Sequence, residues 1–213
     1  MRAVIFDLWD TLVDYPTEEA GKLVERLAVR AGVEHAEFKA RLQASYRASQ
    51  TGPLADVYRS LGIPDDHVDG HVEEWHELGR DVLRLREGAA QVLVALRRRE
   101  LKLGLISVCS EEVPAAWPGS DLAGLFDAET FSVATGLMKP EPEIYLHTAS
   151  ALGVDPHECF FVGDGANDEL AGAQAVGMTP VLFLPAGRAP GWPEVREWTG
   201  LHVSSIEEVL QLC

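Results

Sequence analysis

Four short groups of residues in this sequence could do chemistry together. Asp7, Asp10 and Asp14 follow the apolar run Ala3 to Phe6. Ser107 closes the run from Leu101 to Ile106. Lys139 stands in Val133 to Pro140, and Gly163-Asp164-Gly165-Ala166-Asn167-Asp168 follows Glu158 to Val162. Burying an isolated carboxylate is costly, so Asp7 belongs at the open C-terminal end of its strand, where a cation, a lysine or backbone amides can partner it. Two or three carboxylates with further oxygen ligands suit Mg²⁺, a hard ion that keeps several waters and bridges to phosphate. A hydroxyl, a lysine and backbone amides suit phosphoryl oxygens. An aspartate beside such a cation can attack phosphorus and form an aspartyl-phosphate.

The elements that must position these groups follow from periodicity. Ala3 to Phe6 reads as a strand buried on both faces, as in a parallel sheet. Thr17 with Glu18 and Glu19 reads as a helix start, and Gly32 as that helix's end. From there to about residue 87 the pattern is helical. A second helix starts near His35, with Phe38, Leu42 and Tyr46 on one face; a third carries Leu54 to Leu61, and a fourth spans Asp65 to Leu83. Together they predict a small helical bundle. Past Arg84 the pattern alternates: a helix over 87–100, a strand over 101–107, a loop-rich stretch, a short strand within 126–131 and a loop through Lys139. Then come a helix over 141–152, a strand over 158–162, a helix over 167–176, a strand over 179–184, a short strand at 201–203 and a last helix over 205–212. Alternation of this kind gives right-handed crossovers and a doubly wound parallel α/β sheet. The first strand must join that sheet, because the helical segment offers it no partner. The expected organisation is a core of residues 1–14 and 88–213, with residues 15–87 inserted as a helical domain.

With a formal charge of −16, the chain is ill suited to nucleic acid or anionic membranes. An anionic small molecule must therefore be received by a local positive site. Cys109, Cys159 and Cys213 are odd in number and unpatterned, which fits a reducing compartment. No signal peptide is visible, and no apolar run approaches the ~20 residues of a membrane helix. Together these predict a cytoplasmic protein. His67, His71 and His76 fit the helical period loosely and read as a solvated face rather than a zinc site. Arg41, Arg47 and Arg59 read as surface residues, and Tyr46, Tyr58 and Trp75 as packing within the helical segment.

Taken in order, the four groups resemble the motifs of the haloacid dehalogenase superfamily over essentially the whole chain. Phe6-Asp7-Leu8-Trp9-Asp10-Thr11-Leu12 is similar to its first motif, Ser107 to its second, Met138-Lys139-Pro140 to its third, and Gly163 to Asp168, with Gly172-Ala173, to its fourth. The helical insertion resembles the family's helical cap. The resemblance implies a Rossmann-like core and a hydrolase with Asp7 as nucleophile. Lys139 would restrain Asp7, and Thr11, Ser107 and Lys139 would hold the phosphoryl group. Mg²⁺ would be bound by Asp7, the main-chain carbonyl of Trp9, Asp164 and Asp168. The implied substrate is a small phosphorylated metabolite.

One departure matters. The family's phosphatases carry a second aspartate, the general acid/base, at the position held here by Trp9. An indole cannot titrate there, and a positioned acid is worth ~10²–10⁴-fold. Three readings stay open: Asp10 replaces the acid, the substrate carries a good leaving group such as an acyl phosphate, or the chemistry is different (metal-independent dehalogenation) or lost, leaving a binding protein. The family's metal-independent 2-haloacid dehalogenases also place an aromatic residue there. However, their fourth motif has serine and asparagine where this chain has Gly163 and Gly165, and this chain adds Asp164.

Overall fold

The computed structural model describes residues 1–213. Strand β1 (Ala3–Phe6) is followed by five helices: α1 (Thr17–Ala31), α2 (His35–Ala44), α3 (Tyr46–Thr51), α4 (Leu54–Ser60) and α5 (Asp65–Val82). Then come α6 (Ala89–Arg98), β2 (Lys102–Ser107), α7 (Glu112–Ala116), β3 (Ala128–Phe131), α8 (Ser132–Thr135), α9 (Pro142–Leu152), β4 (Cys159–Gly163), α10 (Glu169–Ala175), β5 (Thr179–Phe183) and β6 (Leu201–Val203). The six strands form one sheet in the order β3-β2-β1-β4-β5-β6, and every pairing is parallel. This is the doubly wound order, with its topological switch point beside β1.

Strand β1 is central because all four of its residues are apolar and its two faces feed different cores. Val4 and Phe6 enter a large cluster with Leu93 and Leu96 of α6, while Ala3 and Ile5 enter a second with Ile144 and Ala149 of α9. A third cluster, including Leu27, Phe38, Tyr58 and Val68, belongs to the helices of residues 17–82 alone. Gly104 of β2 lets α9 approach the sheet closely: a Cβ there would lie 3.0 Å from Leu152 Cδ1.

Several local expectations are corrected. Helix α1 starts at Thr17 and ends at a left-handed Gly32 as expected, but its cap residue is Pro16 rather than Thr17, and it supplies no side-chain cap. The second helix does not run through to Tyr46. Ser45 takes a turn conformation and its N–H is shared between the Arg41 and Leu42 carbonyls. Tyr46 instead begins α3 and lies outside the apolar cluster that takes Phe38 and Leu42. The stretch 132–135 is a short helix rather than a loop, and α7 lies inside the stretch expected to be loop. The terminal segment is a 3₁₀ helix over Ile206–Gln211. Finally, α10 begins at Glu169 rather than Asn167. Asn167 and Asp168 have φ of 52° and 55°, left-handed values that interrupt the helix.

Candidate active site

The C-terminal ends of β1, β2 and β4 bring Asp7, Ser107 and Asp164 to one edge of the sheet. The N–H of Asp7 continues the ladder by donating to the Val162 carbonyl at 2.8 Å. Lys139 arrives on the loop between α8 and α9, and its ammonium donates to both Asp7 and Glu169. All three side chains are almost fully buried. Carboxylate oxygens of Asp7, Asp164 and Glu169 lie within 4.8 Å of one another.

Glycines make this convergence possible. A Cβ on Gly172 of α10 would lie 2.7 Å from both the Pro140 carbonyl oxygen and the Tyr145 hydroxyl, so only glycine lets α10 rest against the loop carrying Lys139. The Tyr145 hydroxyl donates to the Glu169 carbonyl at 2.8 Å, tying α9 to the start of α10. A Cβ on Gly163 would lie 2.1 Å from Glu169 Oε1, so a side chain at the end of β4 would displace the Glu169 carboxylate. The N–H of Gly165 donates to that same oxygen at 2.9 Å.

Electrostatically the site is short of positive charge. Burial alone would depress the Lys139 ammonium, but Asp7 and Glu169 outweigh it and hold the lysine protonated. Burial pushes the carboxyl groups of Asp7 and Glu169 up, Lys139 opposes this, and Asp164 adds to it. One ammonium cannot balance three carboxylates. The surplus, made of hard oxygen donors, fits a divalent cation such as Mg²⁺.

Not every expected residue joins the cluster. Asp168 is exposed on the left-handed turn before α10, and the neighbouring Glu169 takes the buried place beside Lys139. Helical spacing carried that signal: Glu169 precedes Gly172 by three residues and Ala173 by four, so it shares their packed face. Thr11 and Ser107 do not line the cavity, and each has a buried hydroxyl without a hydrogen-bond partner. Trp9 occupies the cavity wall itself. Asp10 also lines the cavity and has the left-handed φ of 57°. Its carboxylate lies 3.5 Å from both the Arg188 guanidinium and the Tyr15 N–H. Burial raises its carboxyl group, and Arg188 opposes the shift. His67, His71 and His76 pair separately with Asp66, Glu74 and Glu73 and do not converge. Arg41 and Arg59 pair with acids of their own segment, while Arg47 pairs with Glu141 of the core.

The chain matches the profile of the haloacid dehalogenase-like hydrolases over residues 1–176. It belongs to that family. It is 27% identical over 248 aligned residues to the phosphoserine phosphatase of Thermus thermophilus, covering 98% of each chain. It is also 24% identical over 199 residues to (S)-2-haloacid dehalogenase 4A of Burkholderia cepacia, covering 89% of this chain and 86% of the other. Among solved structures, a haloacid dehalogenase-family phosphatase from Thermococcus onnurineus superposes with a TM-score of 0.73 at 20% identity, covering 100% of this chain and 97% of the other. The fold is therefore the Rossmann-like core of this hydrolase family.

Two elements went unnoticed in the sequence. Glu112 on α7 lines the cavity, with Oε2 accepting from Trp75 Nε1 at 2.8 Å and from the Ser110 hydroxyl. Burial raises its carboxyl group, and these hydrogen bonds oppose the shift. Trp192, on the loop after β5, donates its Nε1–H to Asp164 Oδ2 at 2.7 Å. Loop residues have no periodicity that would have placed Trp192 at the site.

Proposed function

We propose that this hydrolase is a Mg²⁺-dependent phosphatase acting on a small phosphorylated metabolite through an aspartyl-phosphate at Asp7. The observation that carries the reading is the buried cluster in which Lys139 bridges Asp7 and Glu169, with Asp164 beside them. A metal-independent dehalogenase presents its aspartate to a carboxylate substrate, and two further acids within 4.8 Å would repel that substrate. A divalent cation removes the conflict and favours a phosphate dianion.

In this reading Asp7, Asp164 and Glu169 supply the side chains that hold the metal, with the main-chain carbonyl of Trp9 completing the protein's share. The bound metal would neutralise charge on the phosphoryl oxygens and orient the phosphorus for in-line attack. Lys139 keeps Asp7 ionised and aligned. A carboxylate oxygen of Asp7 attacks phosphorus, the bond to the leaving oxygen breaks, and that oxygen takes up a proton. Water then attacks phosphorus, releasing phosphate and restoring Asp7. In this reading the unpartnered hydroxyls of Thr11 and Ser107 serve the phosphoryl oxygens. In the first motif, Asp10 is the cavity-lining carboxyl group assigned to deliver the proton, since Trp9 cannot. Helices α1 to α5 act as the cap that closes over the substrate.

A panel of phosphate esters and acyl phosphates, assayed with and without Mg²⁺, tests the reading. Turnover is expected only with the metal, and Asp7→Asn should lose at least about 10⁴-fold. Turnover in EDTA, activity retained in Asp7→Asn, or halide release from 2-chloropropionate in EDTA would overturn it.

A further inference from the structure

The cavity above Asp7 has a volume of about 260 Å³, at the small end for a ligand site. Asp7, Lys139 and Asp164 form one wall, and the phosphoryl reading accounts for them. Five aromatic side chains, Trp9, Tyr15, Tyr46, Trp75 and Trp192, make up much of the remaining wall, with Asp10, Gln50, Ser110 and Asn167 between them. The chain exposes three large aromatic side chains, Tyr15 at 39%, Tyr46 at 37% and Trp192 at 39%, and all three line this cavity. Trp9 and Tyr15 stand at right angles, with ring centroids 5.4 Å apart and an interplanar angle of 87°, like adjoining sides of a box.

Into this box comes the carboxylate of Glu112, whose residue is only 6% exposed. Its Oε2 accepts from Trp75 and from the Ser110 hydroxyl, and the main-chain N–H groups of Ser110 and Glu112 also favour its charged form, but no cationic side chain reaches it. Glu112 makes no salt bridge, and Lys139, the one cationic side chain lining the cavity, is already held between Asp7 and Glu169. A buried carboxylate without a counter-cation, in a cavity lined by aromatic side chains, is an arrangement suited to an alkylammonium ion.

We propose that the substrate's leaving group carries a positively charged nitrogen, seated between the Glu112 carboxylate and the aromatic rings while the phosphoryl group lies on Asp7. The substrate class is the phosphomonoester of a short amino alcohol. This rests on the phosphatase reading and adds to it the chemistry of the leaving group. A larger cavity of about 700 Å³ adjoins the box and shares Tyr15, Tyr46 and Trp75 with it, which leaves room for alkyl groups on the nitrogen.

The test compares phosphocholine with 3,3-dimethylbutyl phosphate, its uncharged carbon isostere, in the Mg²⁺-loaded full-length protein. The kcat/KM for phosphocholine is expected to be about tenfold or more higher. In Glu112→Gln that ratio should fall towards one. Equal rates for the two esters, or a ratio that survives in Glu112→Gln, would overturn the proposal. So would an equal loss on both esters in that variant, which would place Glu112 in the chemistry instead. Choline binding, followed by tryptophan fluorescence, gives a readout independent of turnover. Saturable quenching is expected in the wild type and should weaken several-fold in Tyr46→Leu, a change at an exposed ring that the fold tolerates. No choline binding overturns the cation site even if other phosphate esters are hydrolysed. Choline binding without any phosphate release upholds the cation site and sinks the phosphatase reading.

Discussion

Lys139 holds two carboxylates at once, and the consequences differ for its partners. Removing Glu169 leaves a buried ammonium with one partner, and leaves Gly165 N–H and the end of β4 without the oxygen that fills that space. Breaking a buried pair costs about 3–5 kcal/mol. Glu169→Ala should therefore lower unfolding stability by about that amount in urea titrations of the metal-free protein. Asp168, its neighbour, makes no side-chain hydrogen bond and faces solvent. Asp168→Ala should change stability by no more than about 0.5 kcal/mol and leave Mg²⁺ affinity unaltered. A large loss in Asp168→Ala with little in Glu169→Ala would show that the turn before α10 is set differently. Asp7 and Asp164 were legible in the sequence as members of the carboxylate cluster, but Glu169 was not. Asp168 and Glu169 lie within reach of the same helix face, and only the left-handed backbone at Asn167 and Asp168 decides between them. Asn and Asp are the side chains that most often take this conformation, but residue type does not say that both do so in succession here.

At the scale of elements, the site depends on how closely α10 and the turn after β1 are held. The strands and their order could be read because each is an apolar run with punctuation at its end, and parallel sheets demand such runs. The break at Ser45 could not, because no glycine or proline marks it, and with it went the position of Tyr46. Gly172 tests the first close approach. An added methyl group 2.7 Å from the Pro140 carbonyl must push α10 off the Lys139 loop. Gly172→Ala should cost about 1–3 kcal/mol and lower kcat more than it raises KM, since it displaces the charges around Asp7 rather than the cavity walls. Arg86 tests the second. Its guanidinium donates to the carbonyls of Asp10 and Thr11 at 3.2 and 3.1 Å and to the Asp14 carboxylate, while its main-chain N–H donates to the Leu12 carbonyl at 2.8 Å. It also lies 5.0 Å from the Phe183 ring centroid. Arg86→Ala leaves the turn from Asp10 to Asp14 without its clamp, and a stability loss of about 2–3 kcal/mol is expected by thermal unfolding. An unchanged melting temperature would mean that the β1 turn is held by its own backbone bonds.

For the whole molecule, the helical segment and the sheet core meet over the cavity through a few specific contacts. Gly79 of α5 packs against Glu112, where a Cβ would lie 2.7 Å from the Glu112 carbonyl oxygen. Glu111 accepts the Leu54 N–H at 3.0 Å, and Asn167 donates to the Tyr46 hydroxyl at 3.4 Å. The Arg47–Glu141 pair is exposed and contributes little. Both halves therefore close on a centre whose carboxylates exceed its cations, in a chain whose net charge is already −16. Folding brings these charges together, so the metal-free native state bears a repulsion that the unfolded chain does not. A divalent ion that binds only the native site relieves it and stabilises by RT ln(1 + [L]/Kd), about 2.7 kcal/mol at a hundredfold excess over Kd. For a chain of this size each kcal/mol raises the melting temperature by about 2–4 °C. Saturating Mg²⁺ should therefore raise Tm by about 5–10 °C over the EDTA-treated protein. Asp164→Asn should abolish most of that rise while lifting the metal-free Tm, because one of the three clustered charges is gone. Calorimetry with and without Mg²⁺ on both proteins checks the two signs together. A Tm indifferent to Mg²⁺ in the wild type would mean that Lys139 alone compensates the cluster and that the carboxylates hold no metal.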